Sequence, residues 1–326
     1  MSIITAHGLE KRFYVPIVEE GFRGALKSLI AREKKTVEAV KGISFSLCEG
    51  SFVGFVGPNG AGKSTTIKII SGIMEPTSGE VNVCGVVPYK DRITNARNIG
   101  VVFGQRSQLW WDIPVLESYA LLKRIYEISA TDYRQNLSYF CDLLSLDGFM
   151  MRPARQLSLG ERMRADIAAA FLHNPRIVYL DEPTIGLDHS AKQKMRDFCK
   201  QVNQEKKTTI LLTTHDMQDI EELSKQVIII NQGKIVYDGT IPDLRKRYDA
   251  VRIVRFYLDA LPTDFSLGNY DRFCKYSISE LVLNVTIPHG VSVSEVIRLV
   301  IPQCSVIDMN VQDTPIENVI EGVYKT

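Results

Sequence analysis

The chain has 326 residues, 45% of them hydrophobic, with 39 lysines and arginines against 38 aspartates and glutamates for a formal net charge of +1. That length predicts one large domain plus an appendage, and the near-neutral balance gives no global sign of a nucleic-acid binder. No run approaches the roughly 18 apolar residues that cross a bilayer, and the N-terminus lacks the basic region, apolar core and small-residue cleavage site of a secretory signal, so the chain is expected to stay in the cytosol.

In chain order, Ile3 to Ala6 opens as a strand. Val15 to Lys35 contains GFRGALKSLIAREKK, which fits a helix with Leu26, Leu29 and Ile30 on one face and Lys27, Arg32, Lys34 and Lys35 around it. It reads either as a solvated surface insertion or as a contact with a membrane surface or partner. From Val37 onward SFSL, FVGFVG, IVYLDEP, TILLTTH and VIIINQGKIVYDG read as strands. KSTTIKIISGI, GERMRADIAAAFLHN and SAKQKMRDFCKQVNQE read as helices. This alternation predicts an α/β sheet covered on both faces. Ile113 to Met151 is helix-rich without strong strand signals, which predicts an inserted helical subdomain, placed at about 106–165. After about Pro242, strands VRIVRFYLDA, ELVLNVTI and CSVIDMNV mix with helices SVSEVIRLVI and PIENVIEGVY. The expected division is a domain over 1–240 and a small accessory α+β domain over 241–326. The six cysteines are scattered without a C-x-x-C pair, as expected of reduced, mostly packing residues.

The stretch Gly57–Thr65, GPNGAGKST, follows the strand FVGFV and fits G-x-x-x-x-G-K-S/T. The chemistry needs these types. Glycines Gly57, Gly60 and Gly62, with Asn59 between them, let successive backbone N–H groups turn toward phosphates, and the helix that follows points its positive end at them. Lys63 is placed to reach the β- and γ-phosphates of ATP, Ser64 to ligate Mg²⁺, and Thr65 to support the α-phosphate. Downstream, Ile177–Pro183 delivers two adjacent acids at the end of an apolar strand. Consecutive strand residues face opposite ways, so Asp181 and Glu182 are expected to divide the work. Asp181 suits the Mg²⁺ shell beside Ser64, and Glu182 suits polarising the attacking water. Taken alone, the pair would read equally well as a helix cap.

Leu157–Glu161, LSLGE, resembles LSGGQ, the signature of ATP-binding-cassette (ABC) ATPases, and stands shortly before YLDEP at the start of a predicted helix. The resemblance covers roughly the first 240 residues. It implies a P-loop NTPase ABC cassette with a helical subdomain, and two copies that sit head to tail over two ATP molecules. Ser158 and Gly160 would then contact the γ-phosphate held by the other copy, which agrees with the anion affinity of a helix N-terminus. By the same resemblance Gln105 is the glutamine that senses Mg²⁺ and the lytic water, with Gln108 as the alternative. His215 is the histidine that holds the γ-phosphate, Asp188 the aspartate at the dimer interface, and Phe13 the ring that stacks on adenine, with Tyr14 as the alternative.

Two signature positions depart from the pattern, Leu159 for glycine and Glu161 for glutamine. Any adverse effect of Glu161 near phosphates is expected to be partly offset by nearby Arg162 and Arg164. Of the tryptophans in QLWWDIP, Trp110 and Trp111, one is expected to pack in the subdomain and the other to line a groove for a membrane partner. The GQRSQLWWD stretch and VYLDEPT are similar to bacterial exporter ATPases that pair with separate type-2 permeases. The resemblance thus implies an ATP-hydrolysing subunit, dimeric with itself, held by a membrane permease at the cytoplasmic face, with no nucleic acid bound. An importer subunit or a soluble non-transport ABC ATPase is the alternative.

Overall fold

Three apolar runs carry the centre of the fold. Phe52–Val56 (β3), Ile177–Asp181 (β6) and Thr209–Thr213 (β7) bury every residue, as strands covered on both faces do. A computed structural model, which describes residues 2–16, 34–104, 106–248, 251–262, 264–288 and 290–325, places them side by side. With Ile99–Phe103 (β5), Gln226–Asn231 (β8) and Lys234–Gly239 (β9) they form a six-stranded sheet ordered β5-β6-β7-β3-β8-β9. The pairings from β5 through β8 are parallel. The run VIIINQGKIVYDG, read as one strand, is two, because Gln232 and Gly233 turn at φ 47° and 82°. A left-handed pair is what a two-residue hairpin turn requires.

A three-stranded antiparallel sheet that the sequence did not announce is built from Ser2–Pro16 (β1), Lys34–Cys48 (β2) and Ser78–Val83 (β4), in the order β2-β1-β4. Its Ile4, Leu9, Phe45 and Leu47 share a core with Phe55 of β3 and Tyr179 of β6. Val15 pairs with Lys35 and Pro16 with Lys34. Lys34 and Lys35, expected around a helix, are therefore strand residues, and the rest of that expected helix lies outside the described residues.

Helices flank the large sheet: Lys63–Ile70 (α1), Arg92–Asn98 (α2), His189–Lys206 (α6) and Met217–Leu223 (α7). Between β5 and β6 lie Val115–Ile125 (α3), Ala130–Leu144 (α4) and Leu159–Phe171 (α5), the helix-rich stretch. Phe140, Phe171 and Phe198 meet edge to face, with ring centroids 5.1 Å apart between Phe171 and Phe198 and 5.5 Å between Phe140 and Phe198. Such pairs add about 1 kcal/mol each beyond burial, and here they fasten α4 and α5 to α6.

The chain divides into two units, Met1–Asp238 and Gly239–Thr326. The second is an antiparallel sheet of Arg252–Leu258 (β10), Lys275–Ser279 (β11), Val282–Ile287 (β12) and Val306–Asp313 (β13), ordered β11-β12-β10-β13. Helices Ile241–Arg247 (α8), Val293–Val300 (α9) and Ile316–Lys325 (α10) accompany it. Val254, Phe256, Leu283, Val285, Val296 and Val300 make a core of its own.

Candidate functional site

The loop from β3 to α1 is wedged against its neighbours. A Cβ on Gly57 would lie 2.3 Å from the Ile230 carbonyl oxygen, and one on Gly62, at φ 110°, 2.5 Å from that of Ala39. Only glycine fits at either place. Asn59, Gly60 and Ser64 are exposed and Thr65 is half-buried. α1 begins without a side-chain cap and without an acid in its first turn, which leaves its N-terminal N–H groups to other acceptors. Lys63 is buried and donates from Nζ to the Gly57 carbonyl at 2.5 Å. Burial lowers its pKa, opposed by the carboxylates of Glu182 and Asp181.

β6 brings the acids to this loop. Asp181 Oδ1 accepts from Thr213 Oγ1 at 2.6 Å and from Ser64 Oγ at 3.4 Å. Glu182, the next residue, sits at φ 55°, a conformation that costs a side-chain-bearing residue about 1 kcal/mol or more. Its amide donates to the Thr213 carbonyl at 3.0 Å, and its Oε1 stands 2.8 Å from His215 Nε2. A cavity of about 330 Å³ opens beside them, lined by Ser64, Lys68, Phe103, Gly104, Asp181 and Glu182. The structure thus joins Lys63, Ser64, Asp181, Glu182 and His215. Thr213, which holds Asp181, was missed; its only signal was its place in LTTH.

Ser158 and Gly160 lie elsewhere. Ser158 caps α5, accepting from Glu161 N at 3.2 Å, while its own N–H donates to Glu161 Oε2 at 2.8 Å. Glu161 also pairs with Arg152. Burial pushes its carboxyl pKa up, but the hydrogen bonds from Ser158 and Arg152 outweigh it and the net shift is down. The ion pair of Glu161 is thus with Arg152, while Arg164 lines the same cavity as Glu161. Arg164 donates to the Leu144 carbonyl at 2.6 Å, and Arg162 lies over the Trp111 ring, 5.7 Å from its centroid. Asp188 caps α6, accepting from Ala191 N at 2.7 Å. It lines a second cavity of about 340 Å³ with Ser158, Leu159 and Gly160, and the two cavities share no lining residue.

Gln105 lies outside the described residues. Gln108 is engaged with α5: its Nε2 donates to the Asp166 carbonyl at 2.8 Å and its N–H to Asp166 Oδ1 at 2.9 Å. Phe13 is half-buried on β1, with Lys11 Nζ 5.5 Å from its ring centroid, whereas Tyr14 is exposed. Both tryptophans are exposed, Trp110 by 40% and Trp111 by 52%, so neither is the expected core ring; Leu109 is buried instead.

The family model described as ABC transporter matches residues 40–185. The ABC transporter ATP-binding protein NatA of Bacillus subtilis is 32% identical over 212 residues, aligned over 65% of this chain and 86% of NatA. The chain belongs to the ABC transporter ATPase family. The cassette also superposes on a dimeric ATP-binding cassette solved in a post-hydrolysis state with ADP and Pi, at 26% identity and a TM-score of 0.61, covering 73% of this chain and 98% of that one. Against ABC transporter A family member 1 of Dictyostelium discoideum it is 32% identical over 264 residues, 80% of this chain, but spans only 29% of that protein's length. Among the described residues no helix of the cassette is long and apolar enough to cross a membrane.

Proposed function

We propose that this cassette is the ATP-hydrolysing subunit of an ABC exporter, working as a head-to-tail homodimer on a separate membrane permease at the cytoplasmic face. The observation that carries the reading is the Glu182–His215 contact of 2.8 Å beside the buried Lys63. Glu182 takes the water proton as general base, and His215 orients that carboxylate and reaches the γ-phosphate. Lys63 moves from the Gly57 carbonyl to the phosphates, which replace its lost partner with stronger charge. The N–H groups from Asn59 through Thr65 cradle the remaining oxygens.

The donor set suits Mg²⁺. Asp181 and Ser64 offer two oxygens, and among the described residues no group of three or more His, Cys, Asp or Glu could hold a metal. Mg²⁺ takes one or two protein ligands and fills its shell with phosphate and water. Bound there, it neutralises charge on the phosphates. Gln105 is assigned to sense it, and Phe13 to stack on adenine.

The likeness to a cassette solved as a dimer with ADP and Pi supports completion in trans, with Ser158 and Gly160 of one copy facing the ATP on Lys63 of the other and Asp188 at the seam. Export rests on the likeness of GQRSQLWWD to exporter ATPases. Trp110 and Trp111, both exposed, are assigned to the permease contact. The test is purification of the tagged protein from detergent-solubilised cells. A stoichiometric multi-span exporter permease is the expected partner; an importer permease would reverse the direction, and ribosomes, nucleic acid or no partner would remove transport. In mixed dimers, Ser158→Arg in one copy should impair the site built on the other copy's Lys63. An effect confined to the mutant chain's own site would contradict the trans arrangement.

A further inference from the structure

A charged pair lies fully inside the cassette. Arg196 of α6 exposes 2% of its side chain and Asp219 of α7 none, and Arg196 Nε donates to Asp219 Oδ1 at 2.5 Å. Burying two charges is costly, and an apolar pair of similar volume often holds two helices as well or better. What an apolar pair cannot do is accept hydrogen bonds. Asp219 Oδ2 accepts from Thr184 Oγ1 at 2.9 Å and from Thr214 Oγ1 at 3.0 Å. Thr184 follows Glu182 by two residues, and Thr214 immediately precedes His215.

The backbone gives these two segments little else to align them. The β6–β7 ladder ends at Asp181 and Thr213, and one further bond, from Glu182 N to the Thr213 carbonyl, lies beyond it. Past that point the spacing between the strand-end loops is set by side chains. The rest of the network braces the same carboxylate. Arg196 Nη2 lies 3.5 Å from Asp216 Oδ2, which also accepts from Lys192 Nζ at 2.7 Å. Asp216 in turn donates its N–H to Thr214 Oγ1 at 2.9 Å.

We infer that Asp219, held by Arg196, is a positioning residue that fixes the distance between Glu182 and His215 through Thr184 and Thr214. The inference rests on the roles proposed for Glu182 and His215. Thr184→Val tests it, because valine keeps the side-chain shape and leaves the Arg196–Asp219 pair and the Thr214 donor in place while removing one donor to the buried carboxylate. In the full chain, with thermal unfolding as a check, Thr184→Val is expected to lower kcat for ATP about tenfold, as small misplacements of a reacting pair do. KM should stay within about twofold, since no group that binds ATP is lost. Thr184→Ser, which keeps the hydroxyl, should restore turnover. Added to His215→Ala, Thr184→Val should cost nothing further, because the two act as one unit. Unchanged kcat in Thr184→Val, or a loss that multiplies independently with that of His215→Ala, would overturn the inference while leaving the roles of Glu182 and His215 standing. If Glu182→Gln and His215→Ala themselves leave kcat unchanged, the parent reading falls and this one with it.

Discussion

His173 and Asp166 put opposite pH dependences into one unit. Burial lowers the His173 pKa from 6.5 to about 4, against a hydrogen bond to the Ile99 carbonyl. Burial raises the Asp166 carboxyl from 3.8 to about 6, against hydrogen bonds from Gln108 and Ser107. For His173 the unfolded chain binds the extra proton, so its stability contribution is present above pH 6.5 and is lost as the pH falls through about 4. For Asp166 the folded state binds it, so the contribution is present below pH 3.8 and is lost as the pH rises through about 6. Each amounts to about 3 kcal/mol, and the two nearly cancel. Asp166→Asn, which keeps the acceptor, should therefore make the urea midpoint fall more steeply between pH 7 and 4.5 than in the wild type, and His173→Phe should make it rise on acidification. Parallel pH profiles in all three would contradict the assignment. Neither group was legible in the sequence, since a single Asp in a helix, or a single His in the turn after it, carries no mark of its burial. Glycines were only half legible. A Cβ on Gly57 meets backbone at 2.3 Å, while one on Gly60 meets nothing within 4 Å. Gly57→Ala should abolish nucleotide binding in a fluorescence titration. Gly60→Ala, strained at φ 78°, should cost about 1–2 kcal/mol of stability and leave the loop in place.

At the scale of elements, the start of α5 shows how a departure can have a local cause. Against the family signature Glu161 is an anomaly. Against helix physics, Ser158 followed by glutamate at the third helical position is a capping box. Both readings lie in the same five residues, where Ser158 and Glu161 carry the spacing of the cap. The true partner, Arg152, precedes it by nine residues outside the helix, where no periodicity could find it. Ser158→Ala should destabilise the cassette by about 1 kcal/mol in denaturant titration, and Glu161→Gln, which still accepts from the Ser158 N–H, should cost less. An equal loss in both would place the stabilisation in the Arg152 ion pair instead. Buried strands such as β3, β6 and β7 were legible because every residue is apolar or stands at an end of the run. β11, KYSIS, was not read as a strand although Tyr276 and Ile278 alternate with polar residues; all five residues are exposed, so the alternation marks no buried face. α8 was missed as well, although Thr240 caps it by accepting from Asp243 N at 3.2 Å.

Across the whole molecule, the phosphate loop, acids and histidine converge because parallel strands β3, β6 and β7 are neighbours and end on the same side of the sheet. The sequence supplied the strands and the end-of-strand residues; strand order depends on long-range pairing, which no local pattern encodes. The second unit has its own sheet and core. We propose that it folds independently: a chain ending at Thr240 should keep ATP hydrolysis, and residues 240–326 alone should unfold cooperatively. Loss of turnover on truncation would contradict this. Everything proposed for the site turns on Glu182 as the base of an ATP-hydrolysing centre built on Lys63. Its most direct test is steady-state ATP hydrolysis and equilibrium ATP binding by the purified full chain and its Glu182→Gln variant. The variant should bind ATP with unchanged affinity, turn over about 10²–10⁴-fold more slowly and form an ATP-dependent dimer; undiminished hydrolysis by Glu182→Gln would remove Glu182 as the base.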